Sequence, residues 1–210
     1  MMTSKLLHQV RKLKKRHYYR FVRNGYDEVL LRGLTLGKDS TVLDIGGYRG
    51  DLSNKVYEKF EPYIHVFEPV PVYNTFILER FKQNNKIKVH PYGLSELNEL
   101  RTFFLCDEAT GERGVGTEVL VPFHPLSEIF QKLPNVIDLV VVNIEGGEYE
   151  LIKLLHKTNE IKRIRNILIQ FHRFNQIDTI RYLIARVRLR KNFKTDWRYR
   201  FVWEKWSKKY

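Results

Sequence analysis

Residues 42–53 place a glycine-rich turn directly after a short apolar run, and this stretch most constrains the fold. Gly46 and Gly47 follow the run, and Gly50 comes just before a helix predicted to begin at about Asp51. The first two glycines allow a sharp turn that leaves no side chain against a ligand, and the third allows close approach of the helix. The stretch therefore predicts a strand, turn and helix that cradle a nucleotide-type ligand.

A carboxylate accompanies this turn on each of two predicted strands. Asp44 lies two residues before the first glycine, and Glu68 directly follows the next predicted strand, residues 63–67. Glu68 comes 18 residues after Gly50, about where nucleotide-binding folds place the acid that hydrogen-bonds a ribose diol. Two carboxylates and a glycine turn are therefore predicted at one edge of a sheet.

The spacing D-x-G-G-x-x-G separates two classes of cofactor. The nicotinamide fingerprint is G-x-G-x-x-G and places a pyrophosphate at a helix N-terminus. Asp51 occupies that position here. A carboxylate is a poor neighbour for phosphate but a tolerable one for the cationic amino acid of S-adenosylmethionine (SAM). The sequence therefore predicts SAM as the cofactor.

Length and composition favour one soluble domain. The 210 residues suit a single core, and no run of about 18 apolar residues predicts a membrane span. The N-terminus is basic and lacks the apolar core of a signal peptide. The single cysteine, Cys106, excludes an intramolecular disulfide and fits a reducing compartment. We therefore expect a cytoplasmic protein.

The net charge of +13 is concentrated at the two ends of the chain. Residues 1–32 carry nine Lys and Arg against two acids, and residues 181–210 carry eleven against two. Such ends could meet an anionic surface, namely a membrane, an acidic glycan or nucleic acid, or they could be ordinary solvated helix faces. No obligate protein partner is indicated.

The pattern divides the chain into a basic N-terminal helical extension, residues 1–36, and a domain over residues 37–210. Apolar residues recur at roughly helical spacing over residues 4–31, with Lys and Arg between them. Residues 8–23 interleave aromatic and basic side chains, so they could lie on a membrane surface or a phosphate backbone. Packing against the sheet edge is the other role that the pattern allows.

Strands and helices alternate along the middle of the chain. A helix is predicted over residues 72–81 after a turn with two prolines, and a strand over residues 87–90 leads into a turn at 92–95. β-Branched runs at 137–144 and 164–171 are typical of central parallel strands. This alternation predicts an α/β fold, with an open, mostly parallel sheet and helices on both faces.

The remaining segments are shorter or less regular. Residues 103–105 predict a short strand, and the Gly-rich loop 107–118 could be a lid or a plain surface connection. Helices are predicted at 148–156 and 179–190, and the aromatic residues 199–206 predict a closing strand. Ligands of such a sheet gather outside the carboxyl ends of its strands.

Four motifs, in this order and spacing, resemble the FkbM family of SAM-dependent methyltransferases over roughly residues 40–175. They are residues 42–50, Phe67-Glu68-Pro69-Val70-Pro71, Tyr92-Gly93-Leu94-Ser95 and Asn143-Ile144-Glu145-Gly146-Gly147-Glu148-Tyr149. Segments 169–172 and 201–206 are similar, more softly, to family members tied to glycan decoration. The resemblance implies a single-domain class I (Rossmann-like) methyltransferase that O-methylates a hydroxyl of a sugar or another small metabolite.

The resemblance also implies which residues bind the cofactor. They are Asp44, Gly46 and Gly50 at its methionine end, Glu68 at its ribose, Leu94 and Ser95 near its adenine, and Gly47, Tyr48, Pro69, Gly93 and Asn143 around it. The sequence departs from the family at Val141, where relatives usually carry a Lys. Any help that such a Lys gives to the chemistry would be missing here.

Glu145 and His172 are the candidate catalytic residues, because a sugar hydroxyl is a poor nucleophile until its proton is removed. A general base contributes about 10²–10⁴-fold, and imidazole is matched to neutral pH. His172 could equally be a hydrogen-bonded structural residue. Glu145 could instead orient the acceptor, bind the cofactor's amine or cap the following helix. Glu148 is predicted in the first turn of that helix, and no metal site is indicated.

Two alternatives to glycan O-methylation stay open. An RNA methyltransferase would use the same cofactor site and place the basic ends on phosphates, so its binding would fall steeply between about 50 and 200 mM salt. A non-catalytic scaffold that keeps the fold is motivated by Val141. Acceptor pockets are built from loops rather than short motifs, and O-methylation of a sugar is the function that the motifs favour.

Overall fold

The computed structural model of the protein describes residues 15–105, 110–112 and 116–209. The strands are β1 (Thr41–Ile45), β2 (Tyr63–Phe67), β3 (Ile87–His90), β4 (Gly93–Ser95), β5 (Glu99–Leu105), β6 (Thr117–Pro125), β7 (Ile137–Val142), β8 (Ile164–Ile169), β9 (Phe193–Tyr199) and β10 (Trp203–Lys208). The helices are α1 (residues 15–23), α2 (Tyr26–Leu31), α3 (Asp51–Phe60), α4 (Pro71–Phe81), α5 (Leu126–Gln131), α6 (Glu148–Lys157) and α7 (Ile177–Arg190), with a 3₁₀ turn at Glu160–Arg163. No helix in these ranges is long and apolar enough to span a bilayer.

The main sheet orders its seven strands β3-β2-β1-β7-β8-β10-β9. Strands β1, β2, β3, β7 and β8 pair in parallel, and β10 runs antiparallel to both β8 and β9. The strand order reverses between β1 and β7, which is the point where open α/β sheets bind their ligands. The predicted α/β fold with an open, mostly parallel sheet is confirmed.

Helices cover both faces of this sheet. On β1, Leu43 and Ile45 pack against α5, α6 and α7, while Val42 faces the opposite layer of α1 to α4. Such strands are buried on both sides, which is why β7 and β8 are rich in Ile, Leu and Val. The β-branched runs in the sequence therefore report the centre of the sheet directly.

The described part of the predicted extension, residues 1–36, packs on the sheet. Val29 and Leu30 of α2 are buried in the same cluster as strand residues of the domain predicted over residues 37–210. Residues 1–14 of the extension lie outside the part of the chain that the structure describes. The described residues of the basic segment therefore contribute apolar side chains to the core, and their Lys and Arg side chains lie at the surface.

A second sheet, in the order β4-β6-β5, differs from what the sequence predicts. Residues 92–95 contain a strand rather than only a turn, and the strand predicted at 103–105 begins at Glu99. Strand β6 joins them, yet Pro122 and Pro125 interrupt its pattern, and proline normally argues against a paired strand. The sheet is held together by the pairing of β6 with both β4 and β5, and no local sequence pattern indicates this pairing.

The C-terminal segment also differs from the prediction of one closing strand at residues 199–206. It forms a hairpin, in which β9 ends at Tyr199 and β10 starts at Trp203. Phe201 takes a φ of +57° in the turn between them. A bulky aromatic residue is rare in this conformation, so the sequence carries no turn signal. Half of the predicted loop 107–118 lies outside the described residues, and its last two residues, Thr117 and Glu118, belong to β6.

A buried ion pair ties this hairpin to α7. Arg186 Nη1 lies 3.1 Å from both carboxylate oxygens of Glu204, and the Tyr182 hydroxyl donates to the same carboxylate. Burial raises the pKa of Glu204, and the charge of Arg186 partly offsets this rise. Removing one partner of such a pair leaves the other as an uncompensated charge in the core.

We expect Glu204→Gln to lower the free energy of unfolding by about 3–5 kcal/mol, because Arg186 then lacks its counter-charge. Urea unfolding followed by circular dichroism at neutral pH measures the change. The matched control is Glu61→Gln, which breaks the exposed pair with Lys38 and should leave the midpoint unchanged. Equal midpoints for the two variants would contradict a stabilising role of the buried pair.

Candidate active site

The glycine turn after β1 passes directly over the end of β7. Gly46 adopts a φ of +89°, and a Cβ at this position would lie 2.0 Å from the backbone carbonyl oxygen of Asn143. The Gly46 N–H donates to the carbonyl of Phe67 on β2, at 2.9 Å. Only glycine satisfies both the conformation and the close approach, so the turn presents bare backbone at the sheet edge.

Glu68 is fixed at the end of β2 by two backbone hydrogen bonds. Its Oε2 accepts from the Tyr48 N–H at 2.8 Å, and its Oε1 accepts from the Val70 N–H at 2.9 Å. Burial raises the pKa of Glu68 to about 7, although the two hydrogen bonds act in the opposite direction. The carboxylate is therefore held in one orientation and titrates near neutral pH.

Asp44 is buried beneath the turn. Its Oδ2 accepts a hydrogen bond of 2.6 Å from the Ser53 hydroxyl, and burial raises the pKa of Asp44 to about 6 against the effect of that bond. The neighbour of Asp44 in the register of β7 is Val141, which is 1% exposed. A Lys in place of Val141 would therefore lie beside Asp44, within the layer that faces α3.

A cavity of about 890 Å³ opens above these groups, a size typical of small-molecule sites. Its lining includes seven of the residues predicted to bind a cofactor: Gly46, Tyr48, Glu68, Pro69, Gly93, Leu94 and Asn143. The other four lie behind the wall: Asp44, Gly47, Gly50 and Ser95, the last donating its hydroxyl to the Leu97 carbonyl. The structure thus brings together two predicted strand ends and the turn at 92–95.

The second sheet contributes a wall of the cavity that the sequence did not indicate. Phe103 and Phe123 line it, and the Arg101 guanidinium lies 4.3 Å from the centre of the Phe123 ring. Glu112 and Glu150 hold Arg101 by ion pairs of 2.9 and 3.4 Å. Arg101, Phe103, Glu112 and Phe123 lie outside the motifs, and Glu150 directly follows the last of them. No motif spacing indicated that these residues meet in one wall.

Tyr48, which was predicted to bind the cofactor, and Tyr73, which was not, form an aromatic wall beside Glu68. Tyr48 has a φ of +50°, an uncommon conformation for a residue other than glycine. Its ring meets that of Tyr73 edge to face, with centroids 4.5 Å apart. Both rings line the cavity, so a ligand held by Glu68 would lie against aromatic surface.

His172 lies between two carboxylates near the ends of β7 and β8. Its Nε2 is 3.0 Å from Glu145 Oε1, and its Nδ1 is 2.7 Å from Glu148 Oε1. Burial lowers the pKa of His172, but the hydrogen bonds and charges of the two glutamates outweigh it and raise the pKa to about 9. The imidazole is therefore a cation at neutral pH, unlike the neutral base expected from its ordinary pKa.

Glu148 begins α6, as predicted, but its role goes beyond the first turn of a helix. Its side chain is fully buried, and Oε1 also accepts from the N–H groups of Ile144 and Gly146, at 3.3 and 3.1 Å. Glu148 Oε2 has no hydrogen-bond partner within the described ranges. The sequence offered one signal, a second acid three residues after Glu145 at a helix N-terminus.

Glu145 is held in a strained backbone conformation at the cavity. Its φ is +46°, and the following Gly146 has a φ of +105°. Such conformations cost about 1–3 kcal/mol and concentrate at functional sites. The Glu145 side chain lines the cavity and remains 22% exposed, whereas His172 lies behind it at 11%. The loop therefore presents one carboxylate to a ligand and keeps its partner buried.

The cavity fits a SAM-type cofactor. Bare backbone at Gly46 would hold the amino-acid end, and the Glu68 carboxylate suits a ribose diol. Phe67 and Leu94 offer an apolar surface for a base. Asn143 Oδ1 is buried without a hydrogen-bond partner among the described residues, and a buried orphan of this kind calls for a ligand or water.

Comparison with known proteins agrees with this geometry. The Methyltransferase FkbM domain matches residues 44–201, more than half of the chain. A search of curated proteins finds no match. Among solved structures, a precorrin-6y C5,15-methyltransferase from Geobacter metallireducens is 17% identical with a TM-score of 0.50, covering 81% of this chain and 71% of its own.

Two further structures share the fold at low identity. An rRNA methylase from Streptococcus thermophilus is 10% identical with a TM-score of 0.52, covering 87% of this chain and 94% of its own. A fibrillarin/Nop5p complex gives 14% identity and a TM-score of 0.53, covering 87% and 79%. These likenesses establish a class I, Rossmann-like methyltransferase fold, and the family match is specific. The chain belongs to the FkbM family of methyltransferases.

Proposed function

We propose that the protein is a SAM-dependent O-methyltransferase whose acceptor is a hydroxyl of a sugar or glycan. The observation that carries the proposal is a charged network of three side chains, Glu145–His172–Glu148. Its Glu145 end lines the same cavity as the Gly46 turn and Glu68. A cofactor cradle and a charged proton-handling group within one cavity suit transfer of a methyl group to oxygen.

The cofactor and the protein supply different parts of the chemistry. When bound, SAM supplies a methyl carbon whose bond to sulfur breaks as the bond to the acceptor oxygen forms. The protein's share is to hold the two reactants at about 3–3.5 Å and to accept the hydroxyl proton. Gly46, Glu68 and Asn143 would hold the donor, which leaves the Glu145 side of the cavity to the acceptor.

Glu145 is the better proton acceptor of the two catalytic candidates. Both nitrogens of His172 already face glutamates, and its pKa of about 9 keeps it protonated at neutral pH. The Glu145 carboxylate reaches the cavity and can take the proton of the acceptor hydroxyl. His172 then acts as a positioning residue, because its charge holds Glu145 and Glu148 fixes its ring.

A sugar suits the remaining surface of the cavity. Phe103 and Phe123 of the second sheet supply flat apolar faces, and Glu112 and Glu150 supply acceptors for hydroxyl groups. Sugar rings combine an apolar face with a rim of hydroxyls, so alternating aromatic and carboxylate walls match their chemistry. Such strain concentrates at ligand-binding and catalytic sites, so its occurrence in the cavity-lining Glu145 supports an enzyme over a scaffold.

Binding of S-adenosylhomocysteine should weaken as pH falls. The ribose hydroxyls donate to an ionised Glu68, and the pKa of Glu68 is about 7, so Kd should rise by up to about tenfold per pH unit below that value. Calorimetric titration between about pH 5.5 and 8.5 measures this slope. Glu68→Gln should bind more weakly with a flatter profile, and exposed Asp39→Asn should retain the wild-type profile. A wild-type Kd that is constant over the range would overturn the role of Glu68.

Glu145→Gln should lower methyl transfer by about 10²–10⁴-fold while leaving the affinity for S-adenosylhomocysteine near that of wild type. The measurement is transfer of labelled methyl from SAM to a panel of purified glycans, with total RNA as the comparison acceptor. Label in a glycan that Glu145→Gln abolishes supports the proposal. Label in RNA alone would favour the RNA alternative, and full activity of the variant would remove Glu145 from the mechanism.

The imidazole of His172 should titrate near pH 9 in the folded protein. Because this pKa lies above the ordinary value of about 6.5, its stabilisation of the fold is complete below about pH 6.5 and is lost as pH rises through 9. NMR of ¹³C-labelled histidine measures the titration, and His172→Gln assigns the signal. Glu148→Gln and Glu145→Gln should each lower the pKa. A His172 pKa near 6.5 in the wild-type protein would contradict the charged Glu145–His172–Glu148 network.

A further inference from the structure

Helix α7 is apolar on two opposite faces. Its inner face packs Tyr182, Ala185 and Leu189 into the core. Its outer face carries residues 44–60% exposed, here called the outer stripe: Ile177, Ile180, Leu183, Ile184 and Val187. At about 100° per residue these five positions fall on one side of the helix. A single packed layer explains the inner face but leaves the outer stripe without a partner among the described residues.

Arginines border the outer stripe on both sides. Arg181 and Arg188 lie along one edge, and Arg190 lies along the other. The single acid of α7, Asp178, is 1% exposed and accepts hydrogen bonds from the backbone of the preceding loop. The outer surface of the helix therefore combines apolar and cationic side chains and lacks an exposed carboxylate. This composition is typical of helices that lie in an anionic membrane interface.

A small arginine-lined pocket adjoins the stripe. It has a volume of about 200 Å³, and its lining includes Arg186, Arg190, Arg198 and Arg200 together with Leu183 and Val187 of the stripe. Glu204 neutralises Arg186 from below. Arg200 Nε is buried without a hydrogen-bond partner in the described residues. Guanidinium groups favour phosphate oxygens, and four arginines lie together here beside an apolar surface.

We propose that the outer stripe and the arginine pocket form a docking surface for an anionic membrane. The stripe would enter the boundary between headgroups and acyl chains, and the pocket would bind a lipid phosphate. Arg181, Ile184 and Arg188 also line the active-site cavity, so docking brings the cavity to the membrane surface. Resting on the proposed function, the acceptor is then a glycan carried on a lipid.

Vesicle flotation tests the docking surface directly. Wild-type protein in about 0.15 M salt should float with phosphatidylcholine vesicles that contain about 30 mol% phosphatidylglycerol and should not float with pure phosphatidylcholine. The stripe variant Ile180→Ser/Leu183→Ser/Val187→Ser and the pocket variant Arg190→Gln/Arg198→Gln should each weaken binding by about tenfold or more. Both change exposed side chains, and circular dichroism checks that each variant is folded.

The matched control is Phe76→Ser/Leu78→Ser, which removes two residues of α4 that are 50% and 49% exposed. It should float like wild type, and an equal loss would overturn the assignment to α7. Equal flotation with neutral vesicles, or none with either, would also overturn the proposal. So would a dimer in light scattering that the stripe variant abolishes, or RNA binding that depends on the pocket while flotation does not.

Flotation needs neither SAM nor an acceptor, so it separates this proposal from the proposed function. Glu145→Gln should float like wild type even though its transfer is lost. Docking without methyl transfer would leave the membrane surface standing and remove the enzyme assignment. Methyl transfer to a glycan without flotation would support the enzyme assignment and remove the membrane-docking surface.

Discussion

The site depends on one close backbone contact, where the Gly46 turn crosses the end of β7. A Cβ on Gly46 would lie 2.0 Å from the Asn143 carbonyl oxygen, and the Asn143 N–H bonds to Ile45 at 3.0 Å. These contacts hold the carboxyl ends of β1 and β7 together at the reversal of strand order. Since Glu68 follows β2 and Glu145 follows β7, the same crossing fixes the distance between donor and acceptor sides.

A second constraint is the cost of burying charge behind Glu145. Glu148 is fully buried, and its charge would be expensive without a counter-ion. His172 supplies that counter-ion, and the backbone N–H groups of Ile144 and Gly146, in the loop before α6, supply further partners. The result is a rigid network of charged side chains in which Glu145 is the exposed member. The structural role of His172 and its proposed positioning role are therefore one arrangement: the ring that neutralises Glu148 also orients the carboxylate at the cavity.

Local patterns predicted the donor side of the site because its residues are close in sequence to the strands that place them. The glycine turn and the apolar run of β7 are each read from one short stretch of consecutive residues, and Glu68 is read from the end of a short apolar run 18 residues after Gly50. Of the second sheet only the short strand at 103–105 was predicted, because β4 pairs in parallel with the distant β6 and β6 contains two prolines. The charge on His172 was missed for the same reason, since it depends on Glu148, 24 residues away.

This division has a consequence for specificity. The proposed donor side is built from short motifs, whereas the proposed acceptor side is assembled largely from β5, β6 and α7. Arg101, Phe123 and Arg181 come from three elements that share no motif. We therefore expect the acceptor to be selected by these elements together with Glu112 and Glu150, rather than by the Gly46 turn. Because α7 also carries the outer stripe, its sequence sets both the rim of the cavity and the surface at which an acceptor is met.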